Sequence, residues 1–234
     1  MGIISGANLS SDGLVYSLDA ANFRSYSGSG LTSNALVGGI GATLVNGVGF
    51  TSSNGGTFVF DGTNDYMLSS SLGLSANDPK SLFAWIKPIL VSTLSGYTRL
   101  INYMPDATNR FILALSSWNT PVNTYFIAGT PNNNSAPFIK TSKNYNLNEW
   151  KYVGWTYNGS TQNFYVDGIL QSSIADTSGS FGFTGISGLI IGARTDSGAT
   201  FYNGNVGQAS IYNRALSAKE VKQNYNATKK RYGL

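Results

Sequence analysis

The sequence predicts an all-β fold: two antiparallel sheets packed as a jelly-roll sandwich, with a short C-terminal α-helix. Three observations lead there. About a dozen short apolar or alternating runs are separated by Gly, Asn, Asp and Ser, and no helical period precedes Ser217. The composition agrees, since 28 glycines, 41% hydrophobic and only 11% charged residues suit many short strands around a sizeable core. The stretch Gly204–Tyr225, GNVGQASIYNRALSAKEVKQNY, then reads as a strand, a turn and a helix start.

Taken in order, Gly13–Asp19 (GLVYSLD) sets Leu14, Tyr16 and Leu18 against Val15, Ser17 and Asp19, a half-buried first strand. From Asn22 to about Gly56 the chain is rich in Gly, Ser, Thr and Asn, with one brief apolar segment at Ala42–Val45; a long irregular connection is expected. Thr57–Phe60 resumes as a strand with Phe58 and Phe60 on one face, Asp61–Asp65 has turn chemistry, and Tyr66–Ser69 continues extended. Ser81–Lys87 is apolar on both faces and so predicts a covered central strand, with Pro88 ending its pairing. Arg99–Tyr103, Arg110–Leu115 and Asn123–Ala128 predict three more strands, and Thr130–Ala136 a polar loop tip.

Trp150–Tyr157 runs through Asn158-Gly159 into Gln162–Val166, and Asp167-Gly168 signals a two-residue hairpin into Ile169–Ser172. Leu189–Ala193 and Val206–Tyr212 complete the sheets. Ser217 and Glu220 form an S-x-x-E capping box, and Leu216 with Val221 a hydrophobic staple, so a helix over about 217–230 is expected. No repeat or internal boundary divides the chain, which reads as one domain over 1–234 with its core at about 13–212.

Composition excludes several chemistries. The chain has no cysteine and no histidine, which removes disulfides, Cys/His zinc sites, thiol nucleophiles and a Ser-His-Asp triad. No run approaches the ~18 apolar residues of a membrane span. Residues 1–13 lack a basic n-region, and Gly6 stands where myristoylation needs a hydroxyl, so neither an export signal nor membrane insertion is expected. The net charge of +4 is concentrated from Arg214 onward, where six basic residues face one acidic one. Lys229, Lys230 and Arg231 are the candidate contacts to an acidic protein partner; with basic residues at one end only, nucleic acid is not expected.

Several landmarks resemble LamG-like jellyroll domains of the concanavalin A-like lectin/glucanase superfamily. They are GLVYSLDAAN, FVFDGTNDY, FAWIKP, NEWKYVGWTYNG, FYVDGILQ, LIIGAR and GNVGQASIYNRALSAKEV, collinear over nearly the whole chain. Similar sequences usually carry an Asp-x-Ser-Gly turn with a nearby Trp in the second loop, where Ser33–Gly41 (SNALVGGIG) stands here. The wording GLVYSLDAAN…IYNRALSAKEV…NYNATKKRYGL is similar to proteins of tailed-phage particles. That resemblance implies a non-enzymatic virion protein (a capsid decoration, fibre or tail component), assembled in host cytoplasm, docked to other virion proteins and forming a homo-oligomer.

The superfamily includes glycoside hydrolases, but this chain has only two glutamates, Glu149 and Glu220, and neither falls in an E-x-D-x-x-E strand. Glycan binding is the expectation the resemblance favours, with loop aromatics beside polar groups as contacts: Tyr97, Trp118 with Asn119, and Tyr202 with Asn203; Phe138 and Tyr145 are further loop aromatics of the same kind. Trp85 and Trp155 fall in strong strands and are expected in the core. No cofactor is required. Calcium is the one ion the sequence suits, because Asp61, Asn64 and Asp65 cluster oxygen donors of the type it takes six to eight at a time, although the same residues also serve a plain turn.

Overall fold

The computed structural model describes residues 8–75, 78–90, 97–104, 111–116, 125–129, 139–141, 145–175, 188–194 and 200–234. Its strands begin with β1 (Leu14–Asp19), β2 (Thr32–Ser33), β3 (Ala42–Val45), β4 (Gly49–Thr51), β5 (Thr57–Asp61) and β6 (Tyr66–Ser69). Next come β7 (Lys80–Leu90), β8 (Tyr97–Met104), β9 (Phe111–Ser116), β10 (Tyr125–Gly129), β11 (Ile139–Lys140) and β12 (Lys151–Tyr157). The last are β13 (Thr161–Val166), β14 (Ile169–Ala175), β15 (Gly188–Ile191), β16 (Ala193–Arg194), β17 (Thr200–Phe201) and β18 (Asn203–Tyr212). Helix α1 (Ala218–Thr228) and a 3-10 turn (Lys229–Tyr232) follow.

Two antiparallel sheets result. The first runs β14-β13-β12-β7-β18-β5-β4, with β1 also paired to β18; the second runs β11-β10-β9-β8-β15-β6-β3-β2. β18 organises the first sheet: β7 lies along one side, while β5 takes Asn203–Val206 and β1 takes Gln208–Tyr212 on the other. The core between the sheets includes Tyr16, Leu18, Phe58, Phe60, Ile101, Leu113, Val153, Trp155, Phe164 and Ile191.

A second apolar layer covers the other face of the first sheet. Phe83, Trp85, Tyr152, Tyr165 and Tyr212 meet Leu216, Val221 and Tyr232 there. The Trp85 and Tyr232 rings stack with centroids 4.2 Å apart, and Trp85 Nε1 donates to Thr228 Oγ1 at 2.7 Å. Both faces of β7 are therefore buried, which is why its sequence is apolar on both. The capping box is formed: Ser217 Oγ accepts from Glu220 N at 3.3 Å, and Glu220 Oε2 accepts from Ser217 N at 2.9 Å. Asp167 and Gly168 both have positive φ, 52° and 73°, as a primed hairpin turn requires.

Three local expectations are corrected. The segment expected to be irregular up to Gly56 contains β2, β3 and β4, too short for a periodic signal. Pro88 does not end β7: β12 stops alongside Ile86, so the missing N–H faces a side where the ladder has already finished, and Asn148 N donates to the Pro88 carbonyl there at 2.7 Å. In β1 a bulge between Leu14 and Tyr16 sends Leu14 to the helix layer rather than to the core of Tyr16 and Leu18.

Candidate ligand face and docking surfaces

Because α1 covers the first sheet, the outer face of the second is the other broad face of the sandwich. Alternation defines it. Leu113, Leu115, Leu189, Ile191, Met67 and Leu44 point into the core, so the residues between them point away. A cross-strand row runs Ile112, Asn102, Ile190, Leu68 and Thr43, each opposite the next. Its burial is graded: Ile112, Asn102 and Ile190 are at most 1% exposed, Leu68 is half-buried and Thr43 is exposed. Ile112, Ala114 and Ile190 belong to neither apolar layer described above.

The sequence-predicted saccharide contacts divide. Tyr97 opens β8 opposite Ser116, the last residue of β9. Trp118 and Asn119 lie outside the described residues, as do Phe138 and the sequence-predicted tip Thr130–Ala136. Tyr202 is a correction. It is fully buried, packs on Phe60 with ring centroids 5.8 Å apart and donates through its hydroxyl to the Asn205 carbonyl at 3.1 Å; burial pushes its ionisation well up. Asn203 is the first residue of β18, and its Nδ2 donates to the Asp61 carbonyl at 2.7 Å, so it locks the sheet edge. The two lie where β17 passes into β18, and the apolar partner that claims Tyr202 is Phe60, 142 residues away and invisible to local pattern. Tyr145 packs on Phe126, and its hydroxyl donates to Gln171 Oε1 at 3.2 Å.

The Asp61–Asp65 turn spends its donors on itself. Asp61 Oδ1 accepts from Thr63 N at 2.7 Å and Asn64 N at 3.4 Å, and Asp65 Oδ2 accepts from Asp61 N at 3.1 Å. The Asn64 carbonyl is taken by Asn46 Nδ2 at 3.0 Å. Within this turn, Asp65 Oδ1 is buried without a partner. Desolvation, with the nearby Asp61 charge, raises the Asp65 pKa. The second Asp61 oxygen, the Asn64 side-chain oxygen and the buried Asp65 Oδ1 remain, fewer than the about six to eight oxygens calcium takes, and among the described residues no group of three Asp, Glu, His or Cys side chains converges. The side-chain oxygens of this turn alone do not fill a calcium shell.

The basic C-terminus also divides. Arg231 is a correction: its Nη1 pairs with Asp19 Oδ1 at 2.5 Å, Nε donates to the Asn54 carbonyl at 2.6 Å, and Nη2 to the Gly56 carbonyl at 2.6 Å. It closes the fold and is not available to a partner. Lys229 holds its ammonium 5.3 Å from the Tyr225 ring centre, and Lys230 is exposed. Residues this far from Asp19 in sequence gave no local sign of the clasp.

All eight described acidic side chains are engaged. Asp12 and Glu220 hold Arg214, Asp19 holds Arg231, and Glu149 pairs with Lys151 at 2.9 Å. Asp78 accepts from Ser75 N and Asp167 from Tyr152 N, while Asp61 and Asp65 lock their turn. Arg214 and the cap hold the Glu220 carboxyl down at about 2. Among the described residues no helix is long and apolar enough to cross a membrane.

The family model described as the concanavalin A-like lectin/glucanases superfamily matches residues 61–222. Among solved structures, the chain is similar to domain 4 of AbnA, an extracellular arabinanase from Geobacillus stearothermophilus in complex with arabinotriose. The TM-score is 0.67 at 17% identity, covering 91% of this chain and 98% of that one. Trypanosoma rangeli sialidase in complex with sialic acid matches with TM-score 0.69 and 19% identity over 97% of this chain but only 35% of the sialidase. The binding domain of Paraclostridial Mosquitocidal Protein 1 matches with TM-score 0.66 and 17% identity, over 92% of this chain and 52% of that one. No curated protein matches the chain.

Proposed function

The chain belongs to the concanavalin A-like lectin/glucanase superfamily, and from that premise we propose that it is a non-enzymatic saccharide-binding protein of a virion surface. The observation that carries the non-enzymatic part is the engagement of every described carboxylate. Hydrolysis of a glycosidic bond with retention needs two carboxyls about 5–5.5 Å apart and free to act as nucleophile and acid. Among the described residues Asp61 and Asp65 are like-charged neighbours bound to backbone amides of their own turn, and Glu149 and Asp167 lie on either side of the Lys151 ammonium. With histidine and cysteine absent, binding is the activity these residues support best.

The ligand class follows from the fold. A solved domain of this fold is in complex with arabinotriose, and a sialidase that the chain matches over 35% of its length is in complex with sialic acid, so a saccharide is the ligand to test first. Tyr97, at the β8–β9 end of the second sheet, and the sequence-predicted contacts Trp118 and Asn119 are the residues to test for it. The test is a glycan array probed with the purified full chain, with the same glycans assayed for released sugar. Saturable binding without release, weakened in Trp118→Ala at unchanged melting temperature, is the expected outcome. Release of sugar, or silence across the array, contradicts it.

The particle location rests on the similarity of the opening and closing wording to tailed-phage proteins. A capsid decoration, fibre or tail component would dock through protein contacts, for which Lys229 and Lys230 remain candidates. Mass spectrometry and imaging of purified particles test this directly; absence of the chain from particles contradicts it.

A further inference from the structure

An Asn-Gly step is chemically weak, because glycine leaves the following amide nitrogen unshielded and free to turn onto the asparagine side chain. The chain has four such steps, at Asn46, Asn54, Asn158 and Asn203. Three are held against reaction. Asn46 Nδ2 donates to the Asn64 carbonyl at 3.0 Å, Asn54 Nδ2 to the Arg231 carbonyl at 3.0 Å, and Asn203 Nδ2 to the Asp61 carbonyl at 2.7 Å. In each, the nitrogen that would have to leave is tied down. Asn54 is held at both ends, since its Oδ1 also accepts from Trp150 Nε1 at 3.1 Å.

Asn158 is the opposite case. It stands in the exposed turn between β12 and β13. Its Oδ1 accepts from Ser160 N at 3.0 Å, Ser160 Oγ at 3.2 Å and Thr161 N at 2.8 Å. Among the described residues, nothing accepts from Asn158 Nδ2 or from Gly159 N. An Asx turn of this kind folds the side-chain Cγ back over the following amide. Gly159 takes a φ of 100°, and a Cβ there would meet nothing within 4 Å, so the approach of its nitrogen is open.

We propose that Asn158 is a self-modification site, at which Gly159 N displaces the side-chain amide. Hydroxide from solvent removes the Gly159 N–H proton, the nitrogen attacks Asn158 Cγ, and the carbonyl electron pair moves onto Oδ1. The three donors stabilise that charge as an oxyanion hole does. The pair then returns, the Cγ–Nδ2 bond breaks, and Nδ2 leaves as ammonia with a proton from water. Water opens the resulting cyclic imide at either carbonyl, giving aspartate or isoaspartate. The balance is one water consumed and one ammonia released. Either product adds a negative charge, and isoaspartate also inserts a backbone carbon into the turn that Asn158 N closes on the Thr161 carbonyl at 3.3 Å. The reaction needs no saccharide and no partner, so it stands apart from the function proposed above.

Incubation of the full chain in warm, mildly alkaline heavy-oxygen water, followed by peptide mass spectrometry, tests this. Asn158 is expected to convert first of the four, taking up heavy oxygen and yielding both aspartate and isoaspartate. Ser160→Ala removes one donor from Oδ1 and should slow the conversion about two- to tenfold at unchanged melting temperature. Asn158→Gln, which would have to close a larger ring, should not convert. In concentrated urea the preference for Asn158 over the other three should disappear, because the turn that supplies the donors is gone. Earlier conversion at Asn46, Asn54 or Asn203, a Ser160→Ala rate equal to the native rate, or the same order of reaction in urea would each overturn the proposal.

Discussion

Arg231 Nη1 lies 2.5 Å from Asp19 Oδ1, tying the last turn of the chain to the end of its first strand. The same guanidinium caps the carbonyls of Asn54 and Gly56, so one side chain closes three segments that are remote in sequence. Both side chains of the pair are 20% exposed, which places the contact between surface and core.

Arg231→Ala should therefore destabilise the fold by about 2–4 kcal/mol, because it leaves a partly buried carboxylate and two carbonyls without their donor. Arg231→Lys should recover less than half of that, since an ammonium cannot make the forked contacts. Urea unfolding of the two variants checks both.

Gly154 faces the ring of Phe83 so closely that a Cβ would stand 1.9 Å from its Cδ1. Phe83 is 1% exposed and stacked on Tyr152, with centroids 5.3 Å apart, so it has little room to yield. Gly154→Ala should cost about 1–3 kcal/mol through overpacking of the layer beneath α1. The loss should appear as a lower urea midpoint at an unchanged m-value.

Glu220 joins the helix cap to Arg214, and its folded pKa sits at about 2, below the ordinary carboxylate value, chiefly through the Arg214 hydrogen bond. The ionised form is thus favoured by the folded state. Its stabilisation is complete above the unfolded pKa and is lost as pH falls through the ordinary range toward about 2. Glu220→Gln should be less stable than the native chain at neutral pH and lose less between pH 5 and pH 2, about where this carboxylate titrates. Thermal melts across that range check it, and parallel curves for the two proteins would contradict it.

Calcium should leave the melting temperature unchanged to within about 1 °C, as should a chelator, because a ligand stabilises only in proportion to its affinity for the folded state. Asp61 and Asp65 are instead turn residues. A rise of several degrees with calcium, abolished in Asp65→Asn, would contradict this.

What the sequence made legible was what is decided locally. Ser217 and Glu220 are three residues apart, and their mutual hydrogen bonds follow from that spacing alone. Asp61 and its two amide partners lie within four residues, and Asp167-Gly168 is a turn by its own backbone preference. Trp85 and Trp155 declared themselves through strand periodicity. Tyr202 and Arg231 did not, because what claims them, Phe60 in one case and Asp19 with the 54–56 carbonyls in the other, comes from far along the chain. The outer face of the second sheet was equally hidden: only the pairing of β8 with β9 and β15 shows that Asn102, Ile112 and Ile190 form one row.

The central claim is that a saccharide binds beside the β8–β9 end of the second sheet, where Tyr97 lies, and leaves unchanged. Hydrogen exchange measured on the full chain with and without the tightest oligosaccharide from the array tests it most directly. Slower exchange confined to Tyr97–Met104, Phe111–Ser116 and residues 117–124, with the oligosaccharide recovered intact, is the predicted result. Protection centred on α1 or the first sheet, or recovery of cleaved sugar, would contradict it.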